Sequence, residues 1–133
     1  MRQLIIPRII FDEMIAHCKK GHPYEACGIL AGEENMVSKI YPMTNIEKSP
    51  VSYLLDSKEQ FNVMKDMREN SLSMAAIFHS HPSSAAYPSV TDVNLAFYED
   101  AVYVIVSLIE SSPVVKGFSI KEEKIEEIGV VVQ

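Results

Sequence analysis

The chain has no tryptophan and only two cysteines in 133 residues, and these scarcities remove whole classes of protein. Cys18 and Cys27 are too few for a disulfide framework and show no C-x-x-C spacing, which excludes a structural Cys₄ or Cys₂His₂ zinc site. Each reads first as a small buried hydrophobe. Positive charge is also in short supply: 12 Lys and Arg against 18 Asp and Glu leave a net charge of −6. Binding to a phosphate backbone needs a concentrated basic face, so no nucleic-acid partner is expected. The longest unbroken apolar run, Ala101 to Val106, falls far short of the roughly 20 residues that span a bilayer. Pro7 and Arg8 interrupt the N-terminus before a signal-peptide core can form. A soluble, cytoplasmic protein without a membrane partner is the expectation. The length suits one domain spanning 1–133, long enough to bury a core without staples.

Pro7 suits a first helical turn, and Ile10, Met14 and Cys18 follow at a spacing of four, predicting a helix that ends near Gly21. Ala26 to Gly32 reads as a strand in which Gly28 marks a close backbone approach or a bulge. Met36 to Tyr41 alternates and pairs with it as a hairpin across Glu33-Glu34-Asn35. Val51 to Leu55 reads as a short strand. Ser57 and Gln60 form a capping box for a second helix, with Phe61, Met64 and Met67 as its buried stripe and an end near Asn70-Ser71. Met74 to Phe78 reads as a strand covered on both faces, Pro82 to Pro88 as a loop, and Ser89 to about Asp100 as a short helix. Ala101 to Ile109 should be the central strand, and Gly117 to Ile120 with Glu127 to Val132 a last hairpin. This pattern implies an α+β domain built on a mixed sheet.

One segment carries chemistry: His79-Ser80-His81-Pro82, then a Ser/Ala/Pro loop, then Ser89-Val90-Thr91-Asp92. Two positions apart at a strand end, His79 and His81 project from one face while Ser80 points away. Asp92 falls in the first turn of the next helix, so two imidazoles and a carboxylate can offer zinc its preferred donors with a fourth position left open. The plainer reading stands beside it: Ser89-x-x-Asp92 is a capping box by itself, and a His-x-His can be surface decoration. A zinc hydrolase also needs a base. Bound zinc lowers the pKa of water from about 15.7 to about 7, but a carboxylate must still move the proton. Glu25, opening a strand after His22-Pro23-Tyr24, is the outstanding candidate, because most other acidic residues lie in charge-rich tracts that read as solvated faces.

The array His79-x-His81-Pro82-x₆-Ser89-x₂-Asp92 resembles the JAMM (MPN+) metalloprotease motif. The upstream Pro23-x-Glu25-x-Cys27-Gly28-Ile29-Leu30-x-Gly32 resembles the segment that supplies that family's catalytic glutamate. The resemblance implies a cytidine-deaminase-like JAMM (MPN) fold, with a mostly antiparallel mixed sheet flanked by helices. It implies one catalytic Zn²⁺ held by His79, His81 and Asp92 with water as fourth ligand, Glu25 as general base, and Ser89 as oxyanion donor. Ser80 would support or pack, and Cys27, on Glu25's face of its strand, could lie near the site as a redox-sensitive neighbour. Family members cleave amide bonds at the C-termini of ubiquitin-like proteins. Thr44 to Tyr53 and the stretch after Asp92 are too short for the insertions that select ubiquitin chains, so the chain is similar to small prokaryotic members.

Two substrates follow from that likeness: a ubiquitin-like sulfur-carrier protein bearing cysteine on its C-terminal glycine, favoured here, and ubiquitin-like modifiers joined to lysine. The substrate's extended tail would lie against a sheet edge. A non-catalytic MPN scaffold is the alternative outside enzymology, although such domains typically lack the ligands present here. A zinc deaminase would need H-x-E and P-C-x-x-C, and neither occurs. Seven methionines and apolar loop positions such as Tyr87 leave room for a partner surface, a homodimer included.

Overall fold

The computed structural model describes residues 3–133; Met1 and Arg2, at the head of the expected 1–133 domain, lie outside the described residues. The chain runs β1 (Gln3–Ile6), α1 (Arg8–Gly21), β2 (Cys27–Glu33), β3 (Met36–Met43), α2 (Ser57–Glu69), β4 (Ser73–His81), α3 (Val90–Asn94), β5 (Val102–Ser107), β6 (Val114–Lys121) and β7 (Lys124–Val132). The α+β class and the mostly antiparallel mixed sheet are as expected. β2 pairs antiparallel with β3 and β4, β6 pairs antiparallel with β5 and β7, and β4 and β5 run parallel. β1, which no sequence pattern announces, lies parallel to β7 and meets β3 at Ile5↔Met36. It thereby closes the sheet into a barrel in the order β1-β3-β2-β4-β5-β6-β7. Among the described residues no helix is long and apolar enough to cross a membrane.

The two-residue period of the strands sorts the core onto the two faces of the sheet. Leu30, Ala76, Phe78, Val104 and Val106 gather with Met14 and Cys18 of α1, whose spacing of four puts them on one side of that helix. Ile77, Tyr103 and Ile105 group with Val93 of α3, and Ile29 and Ala31 with Val63, Met64 and Met67 of α2. His79 and His81 therefore share the face of Ile77, while Ser80 shares that of Phe78. Gly28 pairs with Phe78, and a Cβ there would overlap the Phe78 ring and stand 2.6 Å from the Tyr41 carbonyl oxygen. Only glycine permits that approach.

Four local expectations are corrected. Val51–Leu55 is not a strand; it forms only the isolated bridge Asn45↔Leu55, because the Asn45 side chain, binding Ser52 and Leu54, holds this stretch as a strap. The N-cap of α2 is Asp56, whose carboxylate accepts from the amides of Lys58 and Glu59; the adjacent aspartate outcompetes the serine because it also meets the positive end of the helix dipole. Phe61 is exposed rather than buried. At about 100° per residue it lies roughly 120° around α2 from Met67, whereas Val63 lies within about 40°. The third helix stops at Asn94, well before Asp100, because the Tyr98 amide donates to the Tyr103 hydroxyl and the Gln60 amide to the Tyr98 hydroxyl, drawing the chain off the helical path. The last hairpin exceeds its expected ends, with Glu122 and Glu123 both at positive φ in the turn.

Candidate metal centre

β4 ends at His81, and its pleat sends both imidazoles to one face, as the spacing predicts. Pro82 stops the strand. The loop then returns through Ala85, whose carbonyl lies 2.8 Å from His81 Nδ1, to the start of α3. There the capping box forms in full: Ser89 Oγ accepts from the Asp92 amide at 3.0 Å, and Asp92 Oδ2 accepts from the Ser89 amide at 2.9 Å. The box fixes the Asp92 rotamer, so the structural reading of Ser89-x-x-Asp92 and the chemical one are not rivals. Asp92 Oδ2 stands 3.2 Å from His79 Nε2 and 3.0 Å from His81 Nε2, and the two Nε2 atoms are 3.2 Å apart. All three residues are buried, and their donor atoms lie within 4.8 Å of one another.

This donor set fits a divalent cation. Four donors placed tetrahedrally at about 2.0–2.1 Å from zinc stand roughly 3.3 Å apart, close to the observed triangle. The Ala85 carbonyl can only accept, so His81 Nδ1 carries the proton and Nε2 keeps its lone pair for a metal. Burial lowers the pKa of His79 and keeps it neutral, as a ligand must be. Burial pushes His81 the same way, but Asp92 and the Ala85 carbonyl outweigh it and leave its pKa raised. For Asp92, burial alone favours the proton; the two imidazoles and the Ser89 amide overcome this and hold it well below the usual carboxylate range.

Glu25 approaches from the start of β2. The β2–β4 ladder pairs Cys27 with His79 and is extended by Ser80, whose amide donates to the Ala26 carbonyl while its Oγ accepts from the Ala26 amide at 2.8 Å. Ser80 thus pins the residue next to Glu25, a supporting role in line with its outward direction. The Glu25 amide donates to Ser49 and its carbonyl accepts from the Asn45 side chain. The Glu25 side chain is 4% exposed, and its Oε1 has no hydrogen-bond partner among the described residues. Burial pushes its pKa up to about 8, opposed by His81 and assisted by Asp92. A buried carboxyl with an oxygen that meets no protein donor, its proton affinity biased by His81 and Asp92, is equipped to hold and release a proton.

Cys27 is buried, and burial pushes its thiol up to about 12, so it is a packing residue with little thiolate to oxidise. Cys18 is buried likewise. Two contributors escape sequence reasoning. The Tyr53 ring stacks on His79 at 4.6 Å between centroids. Asn45 commits both its amide hydrogens and its carbonyl oxygen to the backbone of Glu25, Glu47, Ser52 and Leu54. Neither sits in a motif, and both contacts link distant segments, so no local signal could reveal them.

Comparison with known proteins identifies a family and several relatives. Residues 7–121 match the family model described as prokaryotic homologs of the JAB domain. The chain is 46% identical over 106 residues to the CysO-cysteine peptidase of Mycobacterium tuberculosis, covering 78% of this chain and 73% of that protein. It is 35% identical over 94 residues to a probable TtuB-protein conjugate cleaving protease of Thermus thermophilus, covering 70% of this chain and 63% of that one. The solution structure of protein DSY2949 from Desulfitobacterium hafniense superimposes with a TM-score of 0.90 at 37% identity, over 98% of this chain and 92% of that one.

Proposed function

This chain belongs to the prokaryotic JAB-domain family and is a JAMM-type metallopeptidase, and from that premise we propose that it hydrolyses the amide bond between the C-terminal glycine of a ubiquitin-like sulfur-carrier protein and cysteine. The observation that carries the proposal is the convergence of His79 Nε2, His81 Nε2 and Asp92 Oδ2 at 3.0–3.2 Å, together with a buried, unpartnered Glu25 carboxyl oxygen whose proton affinity responds to His81 and Asp92. His79, His81 and Asp92 would hold Zn²⁺. When bound, the ion supplies Lewis-acid polarisation of the scissile carbonyl and of the attacking water.

The chain's own groups do the rest. Glu25 takes the proton from the attacking water and hands it to the departing amine, a role that suits a carboxyl whose proton affinity burial has raised. Ser89 Oγ already accepts from the Asp92 amide, so its own hydrogen is left to donate to the carbonyl oxygen as charge develops there. Ser89→Ala should therefore raise the barrier by about 2.7–4 kcal/mol. If capping were its whole contribution, the variant would lose about 0.5–2 kcal/mol of stability at unchanged turnover, which paired thermal melts and kinetics separate. The substrate tail has a place to lie: β3 meets β1 only at Met36, so its outer edge beyond that point has no strand partner among the described residues. β3 ends at Met43, opposite Cys27 and close to Glu25.

The choice of leaving group follows the stronger likeness, 46% identity to the peptidase named for a cysteine adduct. A second reading, removal of ubiquitin-like modifiers from lysine, draws on the likeness to the conjugate-cleaving protease. Incubating zinc-loaded protein with a carrier–cysteine adduct and a lysine-linked conjugate, with mass spectrometry of both, decides between them. Preferential loss of one cysteine mass from the carrier is expected. Cleavage confined to the lysine conjugate would establish the second reading.

A further inference from the structure

A histidine that ligates a metal almost always donates its remaining ring N–H to a carboxylate, a carbonyl or water, which fixes the ring's plane. His81 obeys this through Ala85. His79 does not: it is fully buried, and its Nδ1 has no hydrogen-bond partner among the described residues. Rotation of an imidazole about its Cβ–Cγ bond is otherwise soft, because torsions onto planar rings have broad minima. Something else must hold the ring edge that faces Asp92.

We propose that Tyr53 is the positioning residue of His79, holding the imidazole plane by ring stacking in place of the missing hydrogen bond. The two rings lie 4.6 Å apart at 25°, a near-parallel arrangement within the range of attractive aromatic pairs. Turning His79 out of the plane that meets Asp92 Oδ2 would drive its edge into the phenol face. Tyr53 is itself held. Asn45 donates to the Ser52 carbonyl and accepts from the Leu54 amide, the residues on either side of Tyr53, while also binding the Glu25 carbonyl. The bridge Asn45↔Leu55 closes the same strap through the backbone, and Tyr53 packs against the buried cluster of Cys27, Ile29, Ala31, Met43 and Met67. One side chain, Asn45, therefore sets the backbone on both sides of the centre: the start of the strand bearing the base, and the strap bearing the ring that steadies a ligand. Burial keeps the phenol neutral, so it is the ring face, not a charge, that Tyr53 presents.

This inference rests on the proposed metal centre, and the test separates the two. Zinc affinity is measured by chelator competition for wild type, Tyr53→Phe, Tyr53→Leu and a packing control, Leu55→Ala. Tyr53→Leu should bind zinc roughly tenfold more weakly, the upper end of what a ring pair supplies and the lower end of what losing an outer partner costs a metal site. Tyr53→Phe should match wild type, and Leu55→Ala should keep its affinity despite losing thermal stability. The His79 ring protons, shifted by the phenol ring current in NMR spectra of wild type and Tyr53→Phe, should lose that shift in Tyr53→Leu. If Tyr53→Leu does not fold, the wild-type and Tyr53→Phe shifts still report the stack. Tight zinc binding by wild type with an affinity in Tyr53→Leu within about twofold of it, less than any ring pair supplies, overturns the positioning role alone. So does an equal loss in Tyr53→Phe, or the absence of a ring-current shift in wild type. Failure of wild type to bind zinc overturns the metal centre and this inference with it.

Discussion

Glu25→Gln should leave one zinc bound per chain and lower turnover by about 10²–10⁴-fold, the usual worth of a positioned proton carrier. Glutamine keeps the shape and the backbone contacts to Ser49 and Asn45 but cannot accept a proton from water, so metal content and rate should separate cleanly. The same substitution has a second signature in metal-stripped protein. Glu25 titrates near 4.5 in a solvated chain and is pushed up to about 8 by burial in the fold. Between those values the folded chain keeps a proton that the unfolded chain has released, so this group makes stability fall as pH rises through the window from about 4.5 to about 8. Urea denaturation at about pH 5 and about pH 8 should show a steeper loss in the wild type than in Glu25→Gln, with the variant the more stable at the higher pH. Identical pH slopes would place the Glu25 carboxyl in a solvated setting and remove the argument for it as a buried base.

Asp92→Asn should abolish activity by emptying the metal site. The amide can still accept from the Ser89 amide through its oxygen, so the cap of α3 and hence the fold should persist. What goes is the negative charge on the oxygen that faces both Nε2 atoms. Outer partners of metal ligands are worth about 10–100-fold in affinity, and loss of a ligand's charge should exceed that. Elemental analysis after dialysis against a mild chelator should find wild type near stoichiometric and Asp92→Asn close to metal-free. Full occupancy in the variant would exclude Asp92 as a ligand.

The centre is legible in the sequence because its pieces are local and periodic. Alternation along β4 puts His79 and His81 on one face whatever the rest of the chain does, and the Ser89/Asp92 cap fixes a side chain within its own turn. Glu25 is legible through its likeness to a family segment, and Gly28 through the close approach that only glycine allows. The illegible parts depend on partners far away in sequence. β1 looks like a stub of apolar residues, and only its pairing with β7, at the other end of the chain, makes it the strand that closes the barrel. Val51 to Leu55 reads like a strand, yet the Asn45 side chain supplies the hydrogen bonds that a neighbouring strand would have made. Phe61 is apolar but lies on the wrong azimuth of α2. Tyr53 meets His79 through tertiary packing alone, and no spacing rule encodes that.

Two imidazoles and one carboxylate of this chain should hold one zinc ion, and zinc-edge X-ray absorption on loaded protein reads that coordination shell. The expected spectrum shows one ion per chain with two imidazole nitrogens and otherwise oxygen donors at about 2.0–2.1 Å. A sulfur shell near about 2.3 Å, or a spectrum unchanged when His79 and His81 are both replaced by alanine, would place the metal elsewhere and contradict the account.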